Sequence, residues 1–196
     1  PPRSASARGA ARVVLVTARS PRSAREIAAR LDLDGWAICA SGATTYDLDT
    51  GRIADHRPLG NETAHALVRS LRERVDGVVF GWESELTFGS EPAYELLRSP
   101  DWPRPAGSLP PSDPLDFAGP FTKLIARSSR VALADLHETA VALTGDRATV
   151  TLAGDAFVEL LGPGVTKGAA LARLAARLGV DAAGVAAFGD QLVDLS

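Results

Sequence analysis

The first part of the chain alternates apolar runs of strand length with one amphipathic segment. Residues 12–16 and 36–40 are nearly all apolar, which is typical of parallel strands that are buried on both faces. Between them, Ser20 and Pro21 are residue types favoured at the N-cap and at the first position of a helix. The apolar face of that helix consists of Ala24, Ile27, Ala28 and Leu31. This pattern predicts a β-α-β unit of a parallel sheet.

The end of the chain follows a similar order. An apolar run at 157–161 leads into a Gly-Pro-Gly turn, after which Thr166 is expected to cap a helix that Gly179 ends. A second apolar run at 185–188 leads into Gly189 and Asp190. We expect four runs to be parallel neighbours in one sheet, namely 12–16, 37–40, 157–161 and 185–188.

The middle of the chain has a mixed pattern. Hairpins are predicted at 44–56 and 78–88, a helix capped by Ser90 up to residue 98, further helices at 62–75 and 131–143, and strands at 121–126 and 148–152. The last of these strands alternates threonine with apolar residues, as a half-buried antiparallel strand does. Residues 100–120 hold seven of the thirteen prolines, which predicts a loop.

Together these elements predict an α/β fold made of two units. Residues 1–50 and 156–196 are expected to form a discontinuous, parallel, doubly wound (Rossmann-like) core. Residues 51–155 are expected to form an inserted α+β cap domain. A catalytic core that carries an inserted lid is a common way to exclude water from a site.

Charged residues that could bind a ligand lie near the ends of the predicted core elements. Lys167 stands at a helix start, and Asp190 and Asp194 lie four residues apart just after a predicted strand. Ligands of open α/β sheets bind at the carboxyl ends of the strands, and an ammonium with two carboxylates suits a phosphate group and a hard cation such as Mg²⁺. Taken singly, however, a first-turn lysine is usually solvated, and aspartates after a strand are usually turn or cap residues.

Composition narrows the classes of function. The 196 residues are 45% apolar and 23% charged, as in ordinary globular proteins. A net charge of −3 without a basic stripe argues against nucleic acid as a partner. No apolar run is long enough for a membrane span, and no secretory signal is recognisable near the start. Because the lone Cys39 offers no disulfide framework, we expect a cytoplasmic protein, either a monomer or a homodimer.

Three groups of residues, in order along the chain, resemble motifs of the haloacid dehalogenase (HAD) superfamily. Thr17 in Val-Leu-Val-Thr-Ala-Arg resembles the second motif, Lys167 in Gly-Val-Thr-Lys-Gly resembles the third, and Gly189-Asp190 with Asp194 resembles the fourth. The large α+β insertion between the second and third motifs is similar to that of the Cof-type sugar-phosphatase branch, which carries its cap there. The resemblance covers almost the whole chain.

The resemblance implies a hydrolase that acts on a small phosphorylated substrate, commonly a sugar or polyol phosphate, through an aspartyl-phosphate and with Mg²⁺. Thr17 would donate a hydrogen bond to the phosphoryl group, and Lys167 would neutralise charge on it. Asp190 would ligate Mg²⁺, and Asp194 would orient the metal or its waters. The candidate substrate-binding residues are Arg19, Ser41 and Gly42, of which Arg19 could equally pair with a carboxylate.

Departures from the family pattern leave a second interpretation open. The first motif, an Asp-x-Asp pair that supplies the nucleophile and the general acid, would lie upstream of Pro1. The chain contains no methionine, and we expect the gene product to extend beyond it. Ser41 and Val193 stand where the family usually has asparagine. We favour a phosphatase whose nucleophile lies upstream; the alternative is a catalytically degenerate phosphate-binding, metal-binding or interaction protein on the same scaffold.

Other polar and aromatic residues follow no such pattern. His56, His65 and His137 lack the spacing of metal ligands. Lys123 opens a predicted strand of the cap and is expected to be a solvated surface residue, whereas Trp82 is expected in the core.

Overall fold

Two β-sheets, each with helices packed against it, make up the computed structural model, which describes residues 11–98, 104–153, 156–189 and 194. The strands are β1 Val14–Val16, β2 Trp36–Cys39, β3 Thr44–Asp47, β4 Arg52–His56, β5 Val78–Ser84, β6 Thr87–Ser90, β7 Lys123–Ser128, β8 Thr149–Ala153 and β9 Phe157–Leu161. The helices are α1 Pro21–Arg30, α2 Asn61–Arg74, α3 Pro92–Glu95, α4 Leu133–Thr144 and α5 Lys167–Arg177. Within the described residues, no helix is both long and apolar enough to cross a membrane.

The first sheet has the order β1-β2-β3-β4. β1 and β2 are parallel, and the hairpin β3-β4 extends the sheet with antiparallel strands. Helix α1 packs on one face through Ala24, whereas α5 packs on the other through Ala170 and Leu174. Ser20 caps α1 and Pro21 opens it. The predicted β-α-β unit and its doubly wound character are therefore confirmed, although Leu31 is exposed because it lies at the C-cap of α1.

The second sheet has the order β6-β5-β7-β9-β8, and all its neighbouring strands are antiparallel. Helices α2 and α4 cover one of its faces and form the largest apolar core with it. Trp82 lies in this core as predicted, fully buried beside the rings of Phe117 and Phe121. This helix-on-sheet layer anchors the strands that reach the candidate site.

The prediction for residues 157–161 is wrong. β9 lies in the second sheet, antiparallel to both β7 and β8, and not beside β1. It is buried on both faces because Val158 and Leu160 contribute to the core that α2 and α4 cover, whereas Glu159 is buried by the first sheet's loops. Burial on both faces produces an apolar run in an antiparallel strand as readily as in a parallel one.

Residues 185–188 also differ from the prediction. They form no strand, and the side chain of Phe188 is 98% exposed. Among the described strands, none lies beside this segment. An apolar segment cannot be buried as a strand without neighbours to pair with.

Sheet membership moves both boundaries of the predicted insertion. The chain leaves the first sheet after His56 and returns from the second after Leu161, so β4 belongs with the core strands and β9 with the cap strands. Ser90 ends β6, and Glu91 takes the N-cap position of α3 that was predicted for Ser90. The division into a core and a cap domain stays a prediction, now with residues 57–60 and 162–166 as its connections.

The contact between Gly89 and Trp82 gives a stability prediction. A Cβ added at Gly89 would lie 2.2 Å from Cε2 of the buried indole of Trp82. Because that ring is enclosed by the core, Gly89→Ala should lower the free energy of unfolding by about 1–3 kcal/mol, measured by denaturant unfolding. The control is Gly184→Ala, whose Cβ would meet its nearest neighbour at 3.5 Å. Equal stability of the two variants would contradict this packing.

Candidate active site

The turn after β1 is held by hydrogen bonds at each of its residues. The N–H of Thr17 donates to the carbonyl of Ile38 (2.8 Å), and the Thr17 hydroxyl oxygen accepts from the N–H of Arg19 (3.1 Å). The carbonyl of Arg19 accepts from the N–H of Ala40 (2.8 Å). Thr17 is half-buried, whereas the side chain of Arg19 is exposed. The hydroxyl of Thr17 is thus fixed at the carboxyl end of β1.

The turn after β2 has an unusual backbone. Ala40, Ser41 and Gly42 have φ values of 49°, 56° and 101°, all in the left-handed region. Residues with a Cβ are disfavoured there by roughly 1–2 kcal/mol each, so Ala40 and Ser41 need support from their surroundings. The N–H of Ser41 donates to the carbonyl of Thr17 (3.2 Å). The two turns, 17–19 and 40–42, therefore lie side by side.

Gly42 brings the second turn against the start of α5. A Cβ on Gly42 would lie 2.2 Å from the carbonyl oxygen of Thr166 and 3.1 Å from the backbone nitrogen of Lys167. Thr166 caps α5 as predicted, since its hydroxyl accepts from the N–H of Ala169 (3.1 Å). Only a glycine allows this approach, which is how Lys167 comes next to the strand ends.

Lys167 forms an ion pair with one of the two predicted metal-site aspartates. Its Nζ lies 2.5 Å from Oδ1 of Asp194, and both side chains are largely buried. Gly189 packs against the same aspartate, because a Cβ on Gly189 would lie 2.4 Å from Cβ of Asp194. Asp190 lies outside the described residues. The structure thus brings Thr17, Gly42, Lys167 and Asp194 to one edge of the first sheet.

The oxygen ligands that Mg²⁺ requires are partly visible at this edge. Asp194 presents a carboxylate beside Lys167, and carboxylate oxygens are the protein ligands that Mg²⁺ uses. Across the described residues, no group of three or more His, Cys, Asp and Glu side chains could hold a metal. His56 instead contacts the hydroxyl of Thr122 (2.8 Å). The donor present fits Mg²⁺, and Asp190 stays the second predicted ligand.

Two charged residues from the second sheet reach the same turns, and sequence reasoning missed their role. Lys123 and Glu159 lie on neighbouring strands, are 5% and 1% exposed, and form a short ion pair. The expectation of a solvated Lys123 is therefore wrong. Lys123 Nζ donates to the carbonyl of Ala18 (2.9 Å), and the hydroxyl of Ser41 donates to Glu159 (2.8 Å). In this structure the Ser41 hydroxyl thus serves a buried contact, and its role in substrate binding stays a prediction.

A second buried carboxylate lies close to this pair. Glu83 is opposite Lys123 in the pairing of β5 with β7 and accepts a hydrogen bond from Arg22 of α1 (2.8 Å). Burial raises the pKa of the Glu83 carboxyl above its ordinary value, although the charges of Arg22 and Lys123 partly offset the rise. A usable sequence signal did exist. Glu159 stands inside an apolar run, and a charge in a buried strand is nearly always paired.

The close approach at Gly42 gives a testable prediction. Gly42→Ala and Gly164→Ala both place a Cβ at positive φ (101° and 68°), but only the Cβ at position 42 meets other atoms. Each should cost roughly 1–2 kcal/mol for its backbone conformation, and Gly42→Ala about 1–3 kcal/mol more for the clash with Thr166. Denaturant unfolding of both variants measures the difference. An equal loss of stability would mean that the turn and α5 can separate freely.

Solved structures similar to this one share its fold. A haloacid dehalogenase-like hydrolase from Bacteroides thetaiotaomicron matches with a TM-score of 0.73 and 18% identity, over 94% of this chain and 70% of that one. A haloacid dehalogenase-like hydrolase from B. subtilis matches with a TM-score of 0.74 and 20% identity, over 93% and 72%. A sugar phosphatase of HAD subclass IIB matches with a TM-score of 0.66 and 12% identity, over 87% and 64%.

Sequence comparison extends this likeness from fold to family. No curated protein matches the chain. The family model of haloacid dehalogenase-like hydrolases matches residues 4–196, which is nearly the whole chain. The chain therefore belongs to the haloacid dehalogenase-like hydrolases.

Proposed function

We propose that this hydrolase is a Mg²⁺-dependent phosphatase that acts on a small phosphorylated metabolite, a sugar or polyol phosphate. The observation that carries the proposal is the meeting of Thr17, Gly42, Lys167 and Asp194 at one sheet edge. A phosphoryl group there would meet a hydroxyl donor, an ammonium and the start of a helix, which together form a favourable anion site. The likeness to a subclass IIB sugar phosphatase supports the choice of substrate class.

The chain's own residues would bind and orient the phosphoryl group. The oxygen of Thr17 already accepts from Arg19, so its O–H is the group that would donate to a phosphoryl oxygen. Lys167 would neutralise charge on the phosphate from the first turn of α5. Asp190 would ligate Mg²⁺, and Asp194, beside Lys167, would orient the metal or its waters; bound Mg²⁺ would supply positive charge against the phosphoryl oxygens.

The nucleophile is proposed to come from a strand beside β1. Among the described strands, β1 pairs only with β2, and the side chains of Val14, Leu15 and Val16 are only half-buried. A further parallel strand on that edge would bury them and deliver a carboxylate next to Thr17. The carboxylate would attack phosphorus, the alcohol would leave with a proton from the general acid, and water would then release phosphate from the aspartyl-phosphate.

Turnover in the full-length protein tests the proposed function. We expect Mg²⁺-dependent hydrolysis of p-nitrophenyl phosphate that Asp190→Asn abolishes, because loss of a metal-ligating carboxylate removes charge stabilisation at the phosphoryl group. The matched control is Asp76→Asn, which changes an exposed aspartate just before β5 and should retain the parent rate. Equal rates for Asp190→Asn and the parent would refute the site assignment. Phosphate binding without any hydrolysis would favour the degenerate binding protein instead.

Phosphate affinity tests the role of Lys167 separately. Loss of one charged partner of a desolvated phosphate costs about 2–5 kcal/mol, and each 1.4 kcal/mol corresponds to about a factor of ten. Lys167→Ala should therefore weaken binding of phosphate by well over tenfold in titration calorimetry with Mg²⁺ present. Arg147→Ala changes an exposed cation in the turn that follows α4; it is the control and should bind like the parent. Equal affinity of the two variants would make Lys167 a structural residue.

A further inference from the structure

Lys123 and Glu159 form a bridge between the second sheet and the two turns of the candidate site. Both side chains lie on the face of the second sheet opposite to α2 and α4, since Lys123 pairs with Glu83 and Glu159 with Ile125 in the strand register. The apolar core occupies the other face, through Leu124, Val158 and Leu160. The two charges thus point away from their own core and towards the first sheet.

Each of the two charges is tied to a different turn. The ammonium of Lys123 donates to the carbonyl of Ala18, the residue between Thr17 and Arg19. The carboxylate of Glu159 accepts from the hydroxyl of Ser41 and from Lys123 itself. One ion pair therefore fixes the turn 17–19 and the turn 40–42 relative to each other.

The second turn depends on this support. Ala40 and Ser41 hold left-handed backbone conformations that residues with a Cβ disfavour. The bond from Ser41 to Glu159 is buried, so it is not replaced by water when broken. Glu159 thereby stabilises the conformation that lets Gly42 approach Thr166 and Lys167.

The ammonium of Lys123 is enclosed between the second sheet and the turn 17–19. Two of its three N–H donors are used by Ala18 and Glu159, and its side chain is 6% exposed. Moving this ammonium away from Glu159 towards a phosphate would break a buried pair, which is strongly destabilising. The effect of Lys123 on the site must pass through the Thr17 turn.

We propose that Lys123 and Glu159 are positioning residues through which the second sheet sets the geometry of the phosphate-binding turns. The inference rests on the proposed phosphatase function, because it assigns the turns 17–19 and 40–42 to phosphate binding. According to this proposal, the phosphate-binding turns reach their functional geometry only when β7 and β9 lie against the first sheet. Misplacement of catalytic groups by about 1 Å costs roughly a hundredfold in rate.

The test separates positioning from stability with a neutral double variant. Lys123→Met alone and Glu159→Gln alone each leave one buried charge unpaired and should lower thermal stability. The double variant Lys123→Met/Glu159→Gln has neither charge, so its stability should recover towards that of the parent.

The activity of the double variant then reports positioning. The glutamine amide introduced at position 159 can still accept from Ser41, whereas the methionine thioether introduced at position 123 cannot donate to Ala18. In the full-length protein, kcat on p-nitrophenyl phosphate should therefore stay reduced by roughly ten- to a hundredfold, with KM little changed. The control Arg130→Met/Asp76→Asn removes an exposed ion pair, 66% and 70% exposed, and should leave both stability and kcat unchanged.

Amide hydrogen exchange gives a readout that does not require activity. The N–H of Arg19 is bonded to the Thr17 hydroxyl, and loss of the Ala18 anchor should speed its exchange by roughly two- to tenfold, as expected for one lost hydrogen bond. If kcat recovers together with stability in the double variant, Lys123 and Glu159 are only structural and the proposal is overturned. If the parent hydrolyses no phosphate ester, the proposed function fails by itself, and the exchange rate of Arg19 decides: faster exchange supports positioning, and an unchanged rate overturns it.

Discussion

An ammonium and a carboxylate that are removed from water remain stable only when they face each other and their other hydrogen-bonding groups are satisfied. In this hydrolase Lys123 and Glu159 meet that condition with partners that lie across the gap between the sheets, the carbonyl of Ala18 and the hydroxyl of Ser41. The apolar cluster nearby consists of Ala40, Ala43, Leu161 and Val165, and apolar contacts are not directional. We therefore interpret this ion pair, together with the pair of Arg22 on α1 and Glu83 on β5, as the directional contacts that select one docking orientation of the two sheets.

Lysine is rare in this chain, and both lysines lie at or beside the candidate site. Arginine supplies nearly all positive charges of the sequence. The two lysines are both paired with a carboxylate; Lys123 is buried and Lys167 largely buried. An ammonium is a compact charge on a flexible stem, whereas a guanidinium is a wide planar fork. Both places offer a narrow space: one lies between two turns, and the other lies where Gly42 meets α5. We therefore interpret the use of lysine, and not arginine, at positions 123 and 167 as a consequence of the limited space there.

How much the sequence could predict depends on whether the signal was local. The N-caps Ser20 and Thr166 and the β-α-β unit follow from residue types only a few positions apart, and they were predicted correctly. The membership of β9 was predicted incorrectly, because an apolar run reports burial but not the partner strand. The Lys123–Glu159 pair joins residues 36 positions apart, and no local pattern specifies such a contact. That Thr17 and Lys167 lie at one end of the sheet was expected from the winding of a parallel sheet as well as from the family resemblance.

The chain crosses between the two sheets twice, and the two crossings touch. Residues 57–60 lead out of the first sheet and residues 162–166 lead back, and a Cβ on Gly162 would lie 2.9 Å from the carbonyl oxygen of Pro58. Two connections that run side by side hinder translation and twisting of the second sheet relative to the first. They still allow the second sheet to rotate about the line that joins the two connections. Near this line, the N–H of Leu59 donates to the carbonyl of Phe121, and the ring of His56 forms a hydrogen bond with the hydroxyl of Thr122. The atoms of these residues would therefore move least in such a rotation. The strand ends farthest from it in the register of the second sheet, such as Val78 and Ser128, would move furthest.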